Sequence, residues 1–462
     1  MTRPGGAPGG AASDAVMAVP PARPGANEPA AKETRTPPAR RRLGALDGTR
    51  GAVVALRLFI GSQVAEIAAP AVLHADGFGL TLADLVFPGF LFMMGMAVPV
   101  SMSALLRSPA AGGPDTAARR PHLLRVARRA VLLYAIGMFL GAYPFLPEEL
   151  EHLRFVGVLQ RLAAVYLMVS LLYITCAWSM APPSGPPALP GRPPAPASVQ
   201  PRAIRLLART LLLGGFPLVC VTVWTVATYT FHNPWPACAD ASALARDCSF
   251  QAYVDTNTWG AGHNFEGRPF DPEGIVSTLV AVANCWAGLV IGIDVVRNKQ
   301  CYAAPDGVRK RASLLIAVGA TCTGAGLVLG MAIPIGKQLW TPSYALVTIG
   351  LMTAGFGVVL AAFDGGLWAG HRIRPGGDTL VALGRNPLFF YILSELVVCT
   401  LDYIPVHHHG QEWTAWSVGA QVVLTPWIPA SLASAVWAVL WLSLFYVPLA
   451  RLLVARGWYI RV

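Results

Sequence analysis

A chain of 462 residues that is 54% apolar and only 13% charged, with a mean hydropathy of +0.52, carries more apolar surface than a water-soluble fold of this size can hide. Lipid is therefore its expected solvent. The net charge of +11 does not imply nucleic acid, because the basic residues concentrate in alternate segments between apolar stretches, the placement that orients membrane helices. Lysine occurs only at Lys32, Lys299, Lys310 and Lys337, so arginine carries nearly all the positive charge; with the excess of Ala, Gly and Pro this composition points to a GC-rich bacterial gene.

Residues 1–44 are rich in Ala, Gly and Pro, without an apolar run or a small-residue cleavage site after one. They read as a disordered cytoplasmic tail rather than a signal peptide, and Arg40-Arg41-Arg42 is expected to hold its end inside. Apolar stretches follow near 51–70, 82–104, 124–143, 156–180, 205–229, 274–294, 312–334, 340–362, 380–400 and 431–450. The pattern predicts an all-α, polytopic transmembrane bundle of about ten helices occupying 45–462. Positive charge returns on every second loop: Arg107, Arg119, Arg120, Arg125, Arg128 and Arg129; then Arg192 and Arg202 in a Pro-rich connector at 181–203; then Arg297, Lys299, Arg309, Lys310 and Arg311; then Arg372 and Arg374; finally Arg451, Arg456 and Arg461. The loop at 144–154 instead carries Glu148, Glu149 and Glu151 against Arg154. Both termini are thus expected in the cytoplasm, in a bacterial inner membrane. No internal repeat is found, which disfavours inverted-repeat transporters.

Two long segments, 230–273 and 401–430, are expected on the outer side. The first holds Cys238 and Cys248, which an oxidising periplasm would join; the other six cysteines lie in or beside apolar stretches and read as small packing residues.

Charges in lipid are costly, so each needs a partner or a task. Asp47 and Arg50 flank the entry to the first helix, and Arg57 and Glu66 are placed within it. Asp84 opens the second helix, Gln160 and Arg161 begin the fourth, Asp294 ends the sixth, and Arg385, Asn386 and Glu395 lie in the ninth. Internal ion pairs account for any one of them; together they imply a hydrated interior. His74, at the outer mouth of the first two helices, is placed to take a proton from an attacking amine or hydroxyl, or to carry an acyl group itself. His263 in the long outer loop is a weaker counterpart. The run His407-His408-His409 lacks a matching set of ligands and reads as solvated loop, and no metal is expected. Phosphate-binding loops, dinucleotide fingerprints and zinc motifs are not found.

Six ordered segments resemble the heparan-α-glucosaminide N-acetyltransferase family of membrane acyltransferases and its bacterial relatives: LDGTRG at 46–51, LHADGFGLTLADLVFPGFLFMMG at 73–95, RFVGVLQRLAAVY at 154–166, DPEGIVSTL at 271–279, KQLWTPSYAL at 337–346 and GRNPLFFYILSE at 384–395. The resemblance implies acetyl-CoA bound from the cytoplasmic side, with the acetyl group passed to an extracytoplasmic amino sugar or related amine or hydroxyl. It implies a catalytic role for His74. It also implies binding roles that are assigned to Arg385, Asn386, Gln160, Arg161 and Lys337 for the cofactor and to Asp84, Trp340, Ser343, His263 and Glu395 for the acceptor. The partners so implied are acyl-CoA, the acceptor and membrane lipid, with no nucleic acid and a homodimer left open. Eleven residues after Arg50, relatives carry an asparagine beside the histidine, where this chain has Gly61 followed by Ser62 and Gln63. Arg57 and Glu66 also depart from relatives, whose first helix is apolar, and together these mark a remodelled site. A transporter or flippase using the same polar interior, and a scaffold without catalysis, are the rival expectations.

Overall fold

The computed structural model describes residues 43–107, 116–180, 202–366 and 377–460. The predicted tail up to residue 42, the connector from 181 to 201 and Arg192, Arg372, Arg374 and Arg461 lie outside the described residues.

The described residues contain ten long helical segments. These are α1 (Gly44–Gly61), α2 (Ala83–Ser101), α3 (Thr116–Ala142), α4 (Val158–Met180) and α5 (Ala203–Thr230). Then follow α6 (Ile275–Arg297), α7 (Pro305–Leu329), α8 (Pro342–Phe363), α9 (Asp378–Arg385 with Pro387–Asp402, bent by 81°) and α10 (Ala430–Ala455). Nine overlie the apolar stretches of the sequence, and α1 is displaced toward the N-terminus, covering 44–61 where the stretch runs 51–70. Seven, namely α2, α4, α5, α6, α7, α8 and α10, are long and apolar enough to cross a membrane, and α9 makes an eighth if its two halves form one span. α1 carries Asp47, Arg50 and Arg57, and α3 carries Arg119, Arg120, Arg125, Arg128 and Arg129, which keeps both below that apolarity. The protein is therefore an all-α, multi-pass helical protein. A backbone in lipid must satisfy its own hydrogen bonds, and helices do so within one segment.

Two expectations shift. α1 ends at Gly61, so Glu66 is not within it: Glu66 sits in a short 3-10 turn, where its carboxylate accepts from Gln421 Nε2 at 3.4 Å. The histidine run is not a featureless loop, because Pro405–His408 pairs antiparallel with Gln411–Thr414, and His407 lies opposite Glu412. His409 (φ 49°) and Gly410 (φ 77°) form the tight turn, whose two positive φ angles match the right-handed twist of the flanking strands.

The inside of the bundle is built by α2, α4 and α6; α6 is 78% buried, whereas α7 is 17% buried and presents its apolar face outward. α2 and α6 approach to backbone contact: a Cβ on Gly95 would lie 1.7 Å from the Cys285 carbonyl oxygen, and one on Gly288 would lie 1.9 Å from that of Phe92. Small residues at such crossings let van der Waals packing replace the hydrophobic drive that lipid removes. The bend in α9 falls at Asn386-Pro387, where proline lacks the N–H that would continue the helix and pushes its predecessor out of helical geometry (Asn386 φ −129°, ψ 53°).

The long segment between α5 and α6 folds into short turns and a helix, Phe250–Trp259, capped by Ser249 Oγ accepting from Ala252 N. Cys238 and Cys248 are bonded in it, with their Cα atoms 5.5 Å apart.

Candidate functional site

Two connections build the site, the one leading from α1 into α2 and the turn between α7 and α8. Gly79 N donates to the Ile335 carbonyl at 2.7 Å and ties the two together. Asp84 stands at the start of α2, and its side chain is 1% exposed. A buried carboxylate is tolerable only when donors surround it. Here Oδ1 lies 2.9 Å from His74 Nδ1, while Oδ2 accepts from Thr81 N at 3.1 Å, Thr81 Oγ1 at 3.0 Å and Ala75 N at 3.4 Å. The Asp84 backbone carbonyl accepts from Tyr344 Oη at 2.6 Å, anchoring the start of α2 to α8. His74 itself is 58% exposed. A buried acid thus fixes one imidazole nitrogen while more than half of the side chain stays exposed.

Lys337 completes the group from the second connection. Its Nζ lies 3.0 Å from His74 Nδ1, 3.1 Å from His74 Nε2 and 3.7 Å from Asp84 Oδ1. The turn that carries it is held by several short-range bonds: Thr341 N donates to Gly336 O, Gly336 N donates to Thr341 Oγ1, and Thr341 Oγ1 lies 3.0 Å from Ser343 Oγ. Trp340 adopts a positive φ of 50°, a conformation uncommon for a bulky residue. Its indole N–H donates to Asn284 Oδ1 at 3.1 Å, and Asn284 Nδ2 donates to Thr348 Oγ1 at 2.9 Å. Burial pushes the Lys337 ammonium below the usual lysine range, against the opposing pull of Glu273 and Asp84.

A second charged layer lies behind this turn. Arg154 donates to Asp271 (Nε–Oδ2 2.7 Å, Nη2–Oδ1 2.5 Å) and to Glu273 (2.5 Å). Burial alone would raise the Glu273 carboxyl, but Arg154, Arg161 and Lys337 together hold it below its ordinary range. Arg161 is fully enclosed: its guanidinium sits 4.9 Å from the Trp340 ring and 5.6 Å from that of Phe87, and Nη2 donates to the Pro272 carbonyl and to Ser277 Oγ.

A cavity of about 300 Å³ opens between α3, α4 and the second half of α9, lined by Gln160, Tyr391 and Glu395 among others, with Arg154 on its wall. Glu395 is ion-paired with Arg57 of α1, whose guanidinium also stands 5.2 Å from the centre of the Tyr391 ring.

Of the residues singled out in the sequence, His74, Asp84 and Lys337 come together. Trp340 and Ser343 are fully buried and shape the Lys337 turn from behind. Gln160 and Glu395 line the cavity, which does not include His74 among its lining residues. Arg161 is sealed beneath Trp340 rather than open to a ligand. His263 packs its ring 4.8 Å from Phe155 and lies 3.0 Å from the Leu153 carbonyl, joining the outer segment to the 144–157 loop. Arg385 and Asn386 sit where α1 begins, since Arg50 donates to the Gly384 carbonyl at 3.4 Å. There Arg385 contacts Tyr459 Oη at 3.2 Å, and Asn386 bonds to Trp458 O and Ile460 N. Fourteen residues of α1 separate Asp47 from Gly61, about 20 Å, so this group and His74 belong to opposite ends of the helix.

Thr81, Tyr344 and Arg154 were not among the residues assigned to the site, and Arg57 was marked only as a departure from relatives. Thr81 was readable as a donor three residues before a buried acid. Arg57 was readable from its spacing, since it precedes Gly61 by one helical turn on the same face. Ser62 and Gln63 do not stand in for an amide at His74: both are buried, and the Gln63 side chain accepts from Ser434 Oγ at 2.8 Å.

No family model matches the chain. Among curated proteins it is similar to the heparan-alpha-glucosaminide N-acetyltransferase of Homo sapiens, 25% identical over 388 residues, covering 75% of this chain and 53% of that protein. It is likewise similar to the Mus musculus protein of the same name, 26% identical over 397 residues, covering 78% and 55%. The chain spans about half the length of the curated relatives it matches. Both matches support the resemblance carried by the six segments.

Proposed function

We propose that this heparan-alpha-glucosaminide N-acetyltransferase-like membrane protein transfers an acyl group, acetyl in the first instance, from a coenzyme A thioester to an amine or hydroxyl acceptor, with His74 as the general base. The observation that carries the reading is the exposed His74 imidazole held by buried Asp84 and covered by Lys337. In the neutral tautomer that donates Nδ1–H to Asp84, the basic lone pair sits on Nε2, 3.1 Å from Lys337 Nζ. As the acceptor nitrogen or oxygen attacks the thioester carbonyl, Nε2 removes its proton. The carbonyl oxygen gains negative charge, which the Lys337 ammonium stabilises. When the intermediate collapses, the carbon–sulfur bond breaks and the proton on His74 passes to the departing thiolate, leaving free CoA and the acylated acceptor. Asp84 stabilises the imidazolium formed between these steps, the role of the buried acid in hydrolase triads. Transfer through an acyl-histidine uses the same atoms, with Nε2 as nucleophile.

The basic loops support a cytoplasmic position for both termini in a bacterial inner membrane, which puts His74 on the outer side. Arg385 and Asn386, at the end of α1 opposite His74, then face the side from which CoA enters, and a guanidinium there suits a phosphate. The test is vectorial. Protein reconstituted in one orientation should acetylate glucosamine held inside the vesicle when acetyl-CoA is supplied only outside, on the side of the termini. Glucosamine that stays unmodified while free CoA also fails to form contradicts the proposal.

A further inference from the structure

The turn that carries Lys337 is also reached from the long segment between α5 and α6. There Arg246 begins a short 3-10 turn that ends at Cys248, and the Cys238–Cys248 bond closes the loop from which it projects. The turn is tied down on all sides. Cys248 N donates to the Ala245 carbonyl at 3.0 Å, Ser249 Oγ donates to the Arg246 carbonyl at 2.8 Å, and Asn233 Nδ2 donates to the Cys248 carbonyl at 3.0 Å. Leu244 packs against the same apolar cluster that contains Trp340. A closed loop has few alternative conformations, so it presents the guanidinium in one place.

From that place Arg246 Nη1 donates to Gln338 Oε1 at 3.0 Å, and the same nitrogen lies 4.0 Å from Asp76 Oδ1. Gln338 directly follows Lys337, and Asp76 stands two residues after His74. The guanidinium therefore meets both connections of the site beside the residues that carry the chemistry. The two contacts differ in weight. Asp76 is fully exposed, and an ion pair of that length in water contributes almost nothing. The Gln338 bond is short and charge-assisted, from a side chain only 32% exposed, and it fixes a direction.

We propose that Arg246 is a positioning residue, presented by the Cys238–Cys248 loop, which clamps Gln338 and so keeps the neighbouring Lys337 ammonium in register with the His74 imidazole. A reacting group held loosely loses much of its effect, so the support of Lys337 matters as well as its charge. The catalytic consequence rests on the transfer reaction proposed above; the clamp itself does not.

Amide hydrogen exchange across residues 335–341 reads the clamp without turnover. Arg246→Ala should quicken exchange there about tenfold or more while α2 and α6 stay protected. With glucosamine and acetyl-CoA, kcat should fall several-fold and both KM values should stay within about twofold of the parent. The alkaline limb of the rate should also move to higher pH, because a loosened Lys337 gains solvent; a merely structural residue would leave that limb in place. Gln338→Ala should match Arg246→Ala, and the two together should do no more than either alone. Arg246→Lys, which keeps a donor, should recover part of the loss, and Asp76→Asn should change little. Removing both cysteines (Cys238→Ser with Cys248→Ser) should reproduce the Arg246→Ala effect and leave that substitution nothing further to do. Unchanged exchange at 335–341 in both Arg246→Ala and Gln338→Ala overturns the proposal, as do additive effects of the two, or quickened exchange with kcat and the alkaline limb unmoved. Quickened exchange in a protein whose parent shows no turnover keeps the clamp and removes the transferase reading.

Discussion

Replacing Asp84 by asparagine keeps the shape of the side chain and removes the charge on which the site is organised. The carboxylate collects His74 Nδ1, two donors from Thr81, the Ala75 amide at longer range and the nearby Lys337 ammonium. An amide offers one oxygen where the carboxylate offers two, so its NH2 must face either the imidazole or the Thr81 donors. A hydrogen bond to a charged group contributes about 1.5–3 kcal/mol, and losing it from the imidazolium stage of the reaction raises the barrier by that amount. At about 1.4 kcal/mol per decade, kcat should fall roughly 10- to 150-fold. The Michaelis constants should barely move, because Asp84 is 1% exposed and acts through the His74 imidazole. The assay is initial-rate release of CoA thiol in detergent with saturating glucosamine, alongside a melting curve to show that the fold persists. A folded Asp84→Asn protein with kcat within twofold of the parent would refute the dyad.

Three further outcomes follow from the charges and the crosslink. Lys337→Met should lower kcat about 100-fold through loss of the oxyanion partner. In the parent the rate should fall as pH rises through the depressed Lys337 pKa, earlier than an ordinary lysine would dictate; Lys337→Arg should push that limb to higher pH, and a limb unmoved by either change contradicts the role. Asp255 is wholly buried, and burial lifts its carboxyl to about 7, against the hydrogen bond from Ile275 N. The folded state then keeps a proton that the unfolded chain releases, so stability should decline as pH rises from about 4 to about 7, by a few kcal/mol at most, and level off above. Asp255→Asn should flatten that slope in thermal melts, and an unchanged slope would refute the assignment. Cys238→Ser should cost roughly 2–3 kcal/mol of local stability and quicken tryptic cleavage at Arg246; equal cleavage rates would argue against the bond.

The helical segments were legible because lipid leaves the chain little choice: each of the ten apolar stretches is a helix, and the errors lie at their ends, as where Glu66 falls beyond α1. His74 and Asp84 are close in sequence, and a buried acid ten residues from a histidine suggests a pair. Lys337 stands 263 residues away from His74, and only resemblance pointed to its turn. Arg161 shows why a charge in an apolar helix is ambiguous. The sequence marks it as costly, but its position under Trp340 and against the Pro272 carbonyl is set by packing between elements far apart in the chain. The missing side chain at Gly61 was visible as an oddity. That Arg57 fills the space depends on one helical turn, and that Glu395 holds it there depends on how α9 bends.

The central claim is that His74 performs the transfer, and the most direct measurement is acetyl transfer by purified His74→Ala protein together with its affinity for acetyl-CoA. Transfer is expected to fall at least 100-fold while acetyl-CoA binding and melting temperature stay near those of the parent. Undiminished transfer by the folded His74→Ala protein would contradict it.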